Sequence, residues 1–124
     1  MADLKHLNVL KRGVKQWNHW RLNNHVSPDL NGADLKGMKL EADLSRADLT
    51  ESNLQSAHLS GVNFDHACLY GANLRGANCT GAHFLQAYLA AADFTSADLT
   101  NADMTETDMS EIDFTCESER LRSR

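Results

Sequence analysis

From Leu44 to Phe114 every fifth residue is a large apolar side chain, with Cys79 the one smaller member, and the residue two places before it is small. The small member is alanine at Ala42, Ala47, Ala57, Ala67, Ala72, Ala77, Ala82, Ala87, Ala92, Ala97 and Ala102, and gives way only at Ser52, Val62, Thr107 and Ile112. A polar residue separates the two, usually Asp or Asn, so the unit reads Ala-(Asp/Asn)-Leu followed by two variable residues. A period of five matches neither the turn of a helix nor the alternation of a strand, so neither element could hold this stripe against a core.

Small, polar, large is nevertheless a short piece of strand alternation. If the next two residues turn a corner, each triplet again sends its small and large members inward and its polar member outward, and the chain winds as a coil. Four corners to the turn stack Leu44, Phe64, Phe84 and Met104 in one interior column, and Leu49, Leu69, Leu89 and Met109 in the next. The remaining columns are Leu54, Leu74, Phe94, Phe114 and Leu59, Cys79, Leu99. Phenylalanine falls only in the first and third columns, on opposite faces, as a narrow interior requires. Gly61, Gly71, Gly76 and Gly81 share one corner position, where backbone strain is expected.

These residues and their spacing resemble the pentapeptide-repeat family. The resemblance implies an all-β solenoid, a right-handed quadrilateral β-helix of about 4.5 coils with an N-terminal α-helical cap. At ~4.8 Å between coils such a rod is only about 20 Å long. Pro28-Asp29-Leu30, Ala33-Asp34-Leu35 and Met38-Lys39-Leu40 extend the pattern upstream, but the step from Leu40 to Leu44 is four residues. One missing corner residue predicts a tight corner near Glu41, crowded further by Met38 in an alanine position. It is read as a tolerated defect, with a binding site made by the irregularity as the alternative.

The chain then divides into residues 1–27, a helical cap and lead-in; 28–116, the repeat β-helix; and 117–124, a polar tail. Leu4, Leu7, Leu10, Val14 and Trp17 recur at helical spacing behind Asp3, a fitting N-cap. They predict one amphipathic helix from residue 4 to about 22, with Gly13 its weak point. Carrying Trp17 and Trp20, it is expected to close the open end of the coil, where unpaired backbone invites aggregation; a tryptophan-lined partner site is the alternative. The segment Trp17-Asn18-His19-Trp20-Arg21 also resembles the lead-in of cyanobacterial-type members of the family. The tail from Thr115 to Arg124 is too short and polar to seal the other end. Either a turn folded over Phe114 or a homodimer through the C-terminal coils is expected.

Charge is uneven. Residues 1–25 carry Lys5, Lys11, Arg12, Lys15 and Arg21 against Asp3, whereas no Lys or Arg interrupts the acids from Asp93 to Glu119, within a net charge of -5. Cys68 takes an outward position, Cys79 an inward one and Cys116 lies in the tail, so no disulfide framework or CxxC pair is formed. The N-terminus lacks a signal-peptide core and no apolar run spans a membrane. The expectation is a reduced, cytoplasmic protein.

Catalytic motifs are missing: no phosphate loop follows a strand, and neither GxSxG nor HExxH occurs. His6, His19, His25, His58, His66 and His83 do not become neighbours in the coil, so no catalytic residue, metal site or cofactor is predicted. The middle Asp and Asn residues are expected to bond the local backbone. The predicted role is a non-catalytic scaffold or protein–protein interaction module with a regulatory use, as the resemblance implies for small cyanobacterial members. Its expected partner is another protein rather than nucleic acid or membrane. The candidate contact residues are Tyr70, His83, Leu85 and Tyr88, where the motif gives way to bulk. The resemblance also implies an alternative: some members imitate the DNA duplex and bind type II topoisomerases such as gyrase. The acidic surface of Asp98, Asp103, Asp108 and Asp113 would supply the charge, while the short rod and basic first segment count against it.

Overall fold

A computed structural model describes residues 1–110. Asp113, Phe114, Cys116, the 117–124 tail and the dimer contact expected there lie outside the described residues. Two helices, α1 (Leu4–Lys11) and α2 (Val14–Asn23), precede a coil built from single-residue parallel bridges. The bridges form four columns: Asp29-Asp48-Cys68-Tyr88-Asp108, Asp34-Asn53-Asn73-Asp93, Lys39-His58-Asn78-Asp98 and Asp43-Asn63-His83-Asp103. Each bridge residue is the polar member of a repeat, and the small and large residues on either side of it face inward.

Nearly every inward position from Leu30 to Ala102 is buried, the half-buried Met38 being the exception. Phe64 and Phe84 stack face to face with ring centroids 5.0 Å apart, and Phe94 meets Phe84 edge-on at 6.1 Å, both favoured aromatic geometries. Cys79 lies fully buried in its column, and burial pushes its thiol pKa up to about 12, which makes it an inert filler.

The second corner residue is left-handed at every described corner except the one at Glu41. Gly61, Gly71, Gly76 and Gly81 adopt φ of 64–71°, and Arg46, Glu51, Ser56, His66, Gln86, Ala91, Ser96, Asn101 and Glu106 take the same conformation with φ of 54–61°. Such a conformation costs a non-glycine residue about 1 kcal/mol. It is held by a bond to the next coil, as in Glu51 N–H to Tyr70 O at 2.8 Å, and by a turn bond across the corner, as in Ala47 N–H to Leu44 O.

The four-residue step appears directly in the register. Asp29 pairs with Asp48, Asp34 with Asn53 and Lys39 with His58, each 19 residues on, whereas Asp43 and all later residues pair 20 on. The corner at Glu41 loses its left-handed residue, yet the columns on both sides remain aligned.

The N-terminal segment departs from the single helix predicted for it. Asp3 does cap α1, its side chain accepting from Lys5 N–H at 2.8 Å, but the helix stops at Arg12 and restarts after Gly13, whose φ of 126° excludes other residues. Leu4, expected in the apolar stripe, is 68% exposed; Leu7, Val9 and Leu10 pack against the core instead. The break lets each helix address a different side of the first coil. Asp29 donates its N–H to His6 Nδ1 at 2.8 Å and accepts from Asp3 N–H at 3.1 Å. Asp43 donates to Asn18 Oδ1 at 2.9 Å and accepts from Trp17 Nε1 at 2.7 Å and Arg21 Nη1 at 2.8 Å. On these two sides the helices thus supply the bonds that another coil would have made. Trp17 is fully buried, while Trp20 is half-buried with its ring 5.3 Å from that of Trp17 and 4.9 Å from that of His6. The other first-coil sides present the exposed Asp34 and Lys39, charges that discourage edge pairing.

Replacing Trp17 by Phe removes one donor to Asp43 O and leaves part of the indole's buried volume empty, which adds a cavity cost to that of the lost hydrogen bond. The expected hydrogen-bond share is about 1 kcal/mol, since Arg21 still serves that carbonyl, and the whole loss is read as a lower denaturant midpoint at unchanged slope.

Candidate functional site

The outward face of a repeat is set by a turn. In most coils the middle Asp or Asn Oδ1 accepts from the N–H two residues later: Asp48 from Thr50, Asn53 from Gln55, Asn63 from Asp65, Asn73 from Arg75, Asn78 from Thr80, Asp93 from Thr95, Asp103 from Thr105 and Asp108 from Ser110, at 2.8–3.1 Å. The Asp-to-Thr preference thus serves the corner, as the sequence led one to expect. For Asp48 burial pulls the pKa upward, but bonds from Thr50 and Asn31 outweigh it and the net shift is downward. Asp93 behaves alike, burial being outweighed by Thr95 and by Arg75, whose Nη1 lies 3.2 Å from Asp93 Oδ2. At Asp108 bonds from Ser110 lower the pKa.

Five middle positions cannot make this turn: Lys39, His58, Cys68, His83 and Tyr88. Cys68 and Tyr88 are bridged neighbours in one column, and Tyr70, on the corner beside them, stacks on Tyr88 with ring centroids 5.8 Å apart and 14° between planes. Both rings are substantially exposed, Tyr70 at 39% and Tyr88 at 42%. Leu85 is half-buried on the opposite corner of this side, its N–H donating to Asp65 Oδ1 at 2.9 Å. His83 is exposed on the adjacent side, bridged between Asn63 and Asp103. The structure therefore brings Tyr70 and Tyr88 into contact, with Leu85 and His83 at their margin. Cys68 Sγ lies 3.2 Å from Thr50 Oγ1.

The acids are arranged differently from a stripe. Asp93, Asp98, Asp103 and Asp108 occupy four successive sides, one in each column, and so form a ring around the last described coil. Asp98, Asp103 and Asp108 are exposed, while Asp113 is outside the described residues. Among the described residues no group of His, Cys, Asp and Glu is placed to hold a metal ion, and no helix is long and apolar enough to cross a membrane. A cavity of about 460 Å³ beside the short step is lined by Asn18, Arg21, Leu22, His25, Asp43 and Arg46. Sequence reading singled out the short step but not these residues, because they come from α2, the lead-in and two repeats.

The family description Pentapeptide repeats (8 copies) matches residues 29–64, 42–78 and 72–111, well over half of the chain. The chain belongs to the pentapeptide-repeat family. Pentapeptide-repeat proteins form right-handed quadrilateral β-helices, and the four bridge columns described above agree with that architecture. Among solved structures, the pentapeptide-repeat protein Rfr23 of the cyanobacterium Cyanothece 51142 is 29% identical, with a TM-score of 0.56, over 65% of this chain and 53% of that one. HetL, a pentapeptide-repeat protein involved in heterocyst differentiation regulation in Nostoc sp. PCC 7120, is 36% identical over 60% of this chain and 38% of its own, with a TM-score of 0.47. QnrB1, a plasmid-mediated fluoroquinolone resistance protein, is 19% identical over 71% of this chain and 53% of its own, with a TM-score of 0.42. This chain spans about half the length of Rfr23 and less of HetL. A comparison with curated proteins finds no match.

Asp48→Asn preserves the turn acceptor and removes the ionisation. Because the folded-state pKa lies below the ordinary 3.8, the carboxylate contributes stability that is present above that value and lost as pH falls through the folded pKa. A lower unfolding midpoint than wild type at neutral pH, and a smaller further loss below about pH 4, are expected from acid titrations followed by circular dichroism.

Proposed function

We propose that this chain is a non-catalytic interaction module: a right-handed quadrilateral β-helix of about 4.5 coils that docks a protein partner on the side bearing Tyr88. One observation carries the reading. In two successive coils the turn-forming Asp or Asn is given up, at Cys68 and Tyr88, and an exposed tyrosine pair is stacked there instead. The local turn bond, worth about 1 kcal/mol, is absent at each place, and what replaces it is a ring pair on the surface rather than a bond that sets the corner. Stacked tyrosines fix a broad amphipathic surface at low entropic cost, the chemistry enriched at protein interfaces. Leu85 and His83 would form its margin. The reading agrees with a family whose members generally serve as structural or interaction modules.

The test is affinity capture from an extract of the native host with wild type, with Tyr70→Ala/Tyr88→Ala, and with Asn53→Asp on the neighbouring side as control. The expected result is a protein held by wild type and the control and lost by the double variant at unchanged fold. The same protein held by all three would overturn the assignment of this side.

The acidic coil favours a second reading, modulation of a type II topoisomerase by imitation of DNA. Its support is the ring of Asp93, Asp98, Asp103 and Asp108. A duplex, however, carries its charge along its whole length, whereas here the bridge aspartates fall in two groups, Asp29, Asp34, Asp43 and Asp48 at one end and Asp93, Asp98, Asp103 and Asp108 at the other, with no acid among the bridge residues between them. Gyrase supercoiling is expected to proceed unchanged at high molar excess of this protein; inhibition would replace the first reading with this one.

A further inference from the structure

The cavity beside the short step is rich in donors and poor in acceptors. Asn18 spends its Oδ1 on Asp43 N–H, which leaves its amide NH2 directed away from that bond. Arg21 donates Nη1 to Asp43 O and makes a long 3.4 Å bond from Nη2 to Ser45 Oγ, so several of its five N–H groups stay uncommitted. The Arg21 side chain is only 6% exposed, although it lines the cavity. Arg46, projected by its left-handed corner at φ 59°, has no side-chain hydrogen bond or ion pair among the described residues. His25 stands on the same wall. The one carboxylate present, Asp43, has Oδ1 occupied by the N–H and hydroxyl of Ser45 at 3.1 and 2.6 Å and lies 3.9 Å from Arg21 Nη1.

Two guanidiniums therefore face a space with one partly committed carboxylate between them. The energetic tension is visible at Arg21, whose pKa burial lowers, with Asp43 opposing and Arg46 adding to the decrease. The carbonyl end of α2 adds partial negative charge nearby, which offsets part of one guanidinium and not both. Leu22, 78% exposed, forms an apolar wall to the same cavity. The pocket, about 460 Å³ and open to solvent on one side, exceeds what a bare inorganic anion fills and leaves room beside the guanidiniums for the body of a small organic one.

We propose that this cavity binds a small organic oxyanion, a phosphate ester or carboxylate, whose charged end is held by Arg21, Arg46 and Asn18 and whose body rests on Leu22. Planar guanidiniums suit the paired oxygens of either group, and a ligand there would tie α2 to the first coil across the corner where a residue is missing. The site is separate from the Tyr70–Tyr88 pair, since Tyr70 lies one coil above the corner that follows Asp48 and Tyr88 lies two coils above Asp48.

Isothermal titration of the full chain with phenyl phosphate, benzoate and inorganic phosphate, against sodium chloride at equal ionic strength, tests this. Saturable binding of phenyl phosphate or benzoate is expected, and which of them binds identifies the headgroup. Arg46→Ala, which breaks no bond of the fold, is expected to weaken it by about tenfold or more, and Arg46→Glu to abolish it. Leu22→Ala is expected to weaken phenyl phosphate while leaving any inorganic phosphate response unchanged. Heats no larger than those of chloride, or equal affinity in wild type and Arg46→Ala with unfolding midpoints alike, would overturn the proposal; so would inorganic phosphate binding as tightly as both organic anions.

Discussion

Successive coils are joined by a reciprocal exchange of backbone bonds, and everything else in the molecule is arranged around it. The large residue of one coil donates to the carbonyl of the polar residue above, as Leu54 N–H does to Asn73 O at 2.7 Å. That polar residue donates back to the small residue below, as Asn73 N–H does to Ser52 O at 2.9 Å. The exchange allows one bridge residue per side, so each coil is too short to form a strand of its own and gains its order from its neighbours. It also explains the corner conformation. The non-glycine left-handed residues bear a strain that the bond to the next coil and the turn bond across the corner together offset.

A ladder of this kind has an end, and the first coil has no neighbour below. Here α1 and α2 make up the deficit on two adjacent sides through His6, Asp3, Asn18, Trp17 and Arg21, satisfying both the N–H and the carbonyl of Asp29 and of Asp43. Closing an end is therefore a matter of hydrogen-bond replacement as much as of covering apolar surface. The short step at Glu41 belongs to the same place. It shortens the first coil without disturbing column alignment, and Asp43, the residue that follows it, is the one α2 grips.

Because the inward side chains and the corner backbone are committed to the ladder, the side chains left free to vary are the outward ones at middle and corner positions. The Tyr70–Tyr88 pair stands where the local turn bond has been surrendered, and the cavity of Arg21 and Arg46 stands where the helical cap meets the coil. The first was legible in the sequence, since bulk at a middle or corner position breaks a strict period. The second was legible only as an irregular step. Leu4 shows the limit from the other side: helical spacing placed it in the apolar stripe, but the break at Gly13 turned α1 so that it faces outward.

The five-residue period by itself determined the coil, the inward columns, the stacking of Phe64 on Phe84 and the alignment of Cys68 with Tyr88, because each follows from counting along a chain whose every repeat adds the same rotation. What only the tertiary structure decided is how the repetition stops. The kink at Gly13, the grip of Trp17 and Arg21 on Asp43 and the donor-rich cavity between them join residues more than 20 apart in sequence through one-off contacts. A period predicts what is repeated; contacts made once have to be seen in three dimensions.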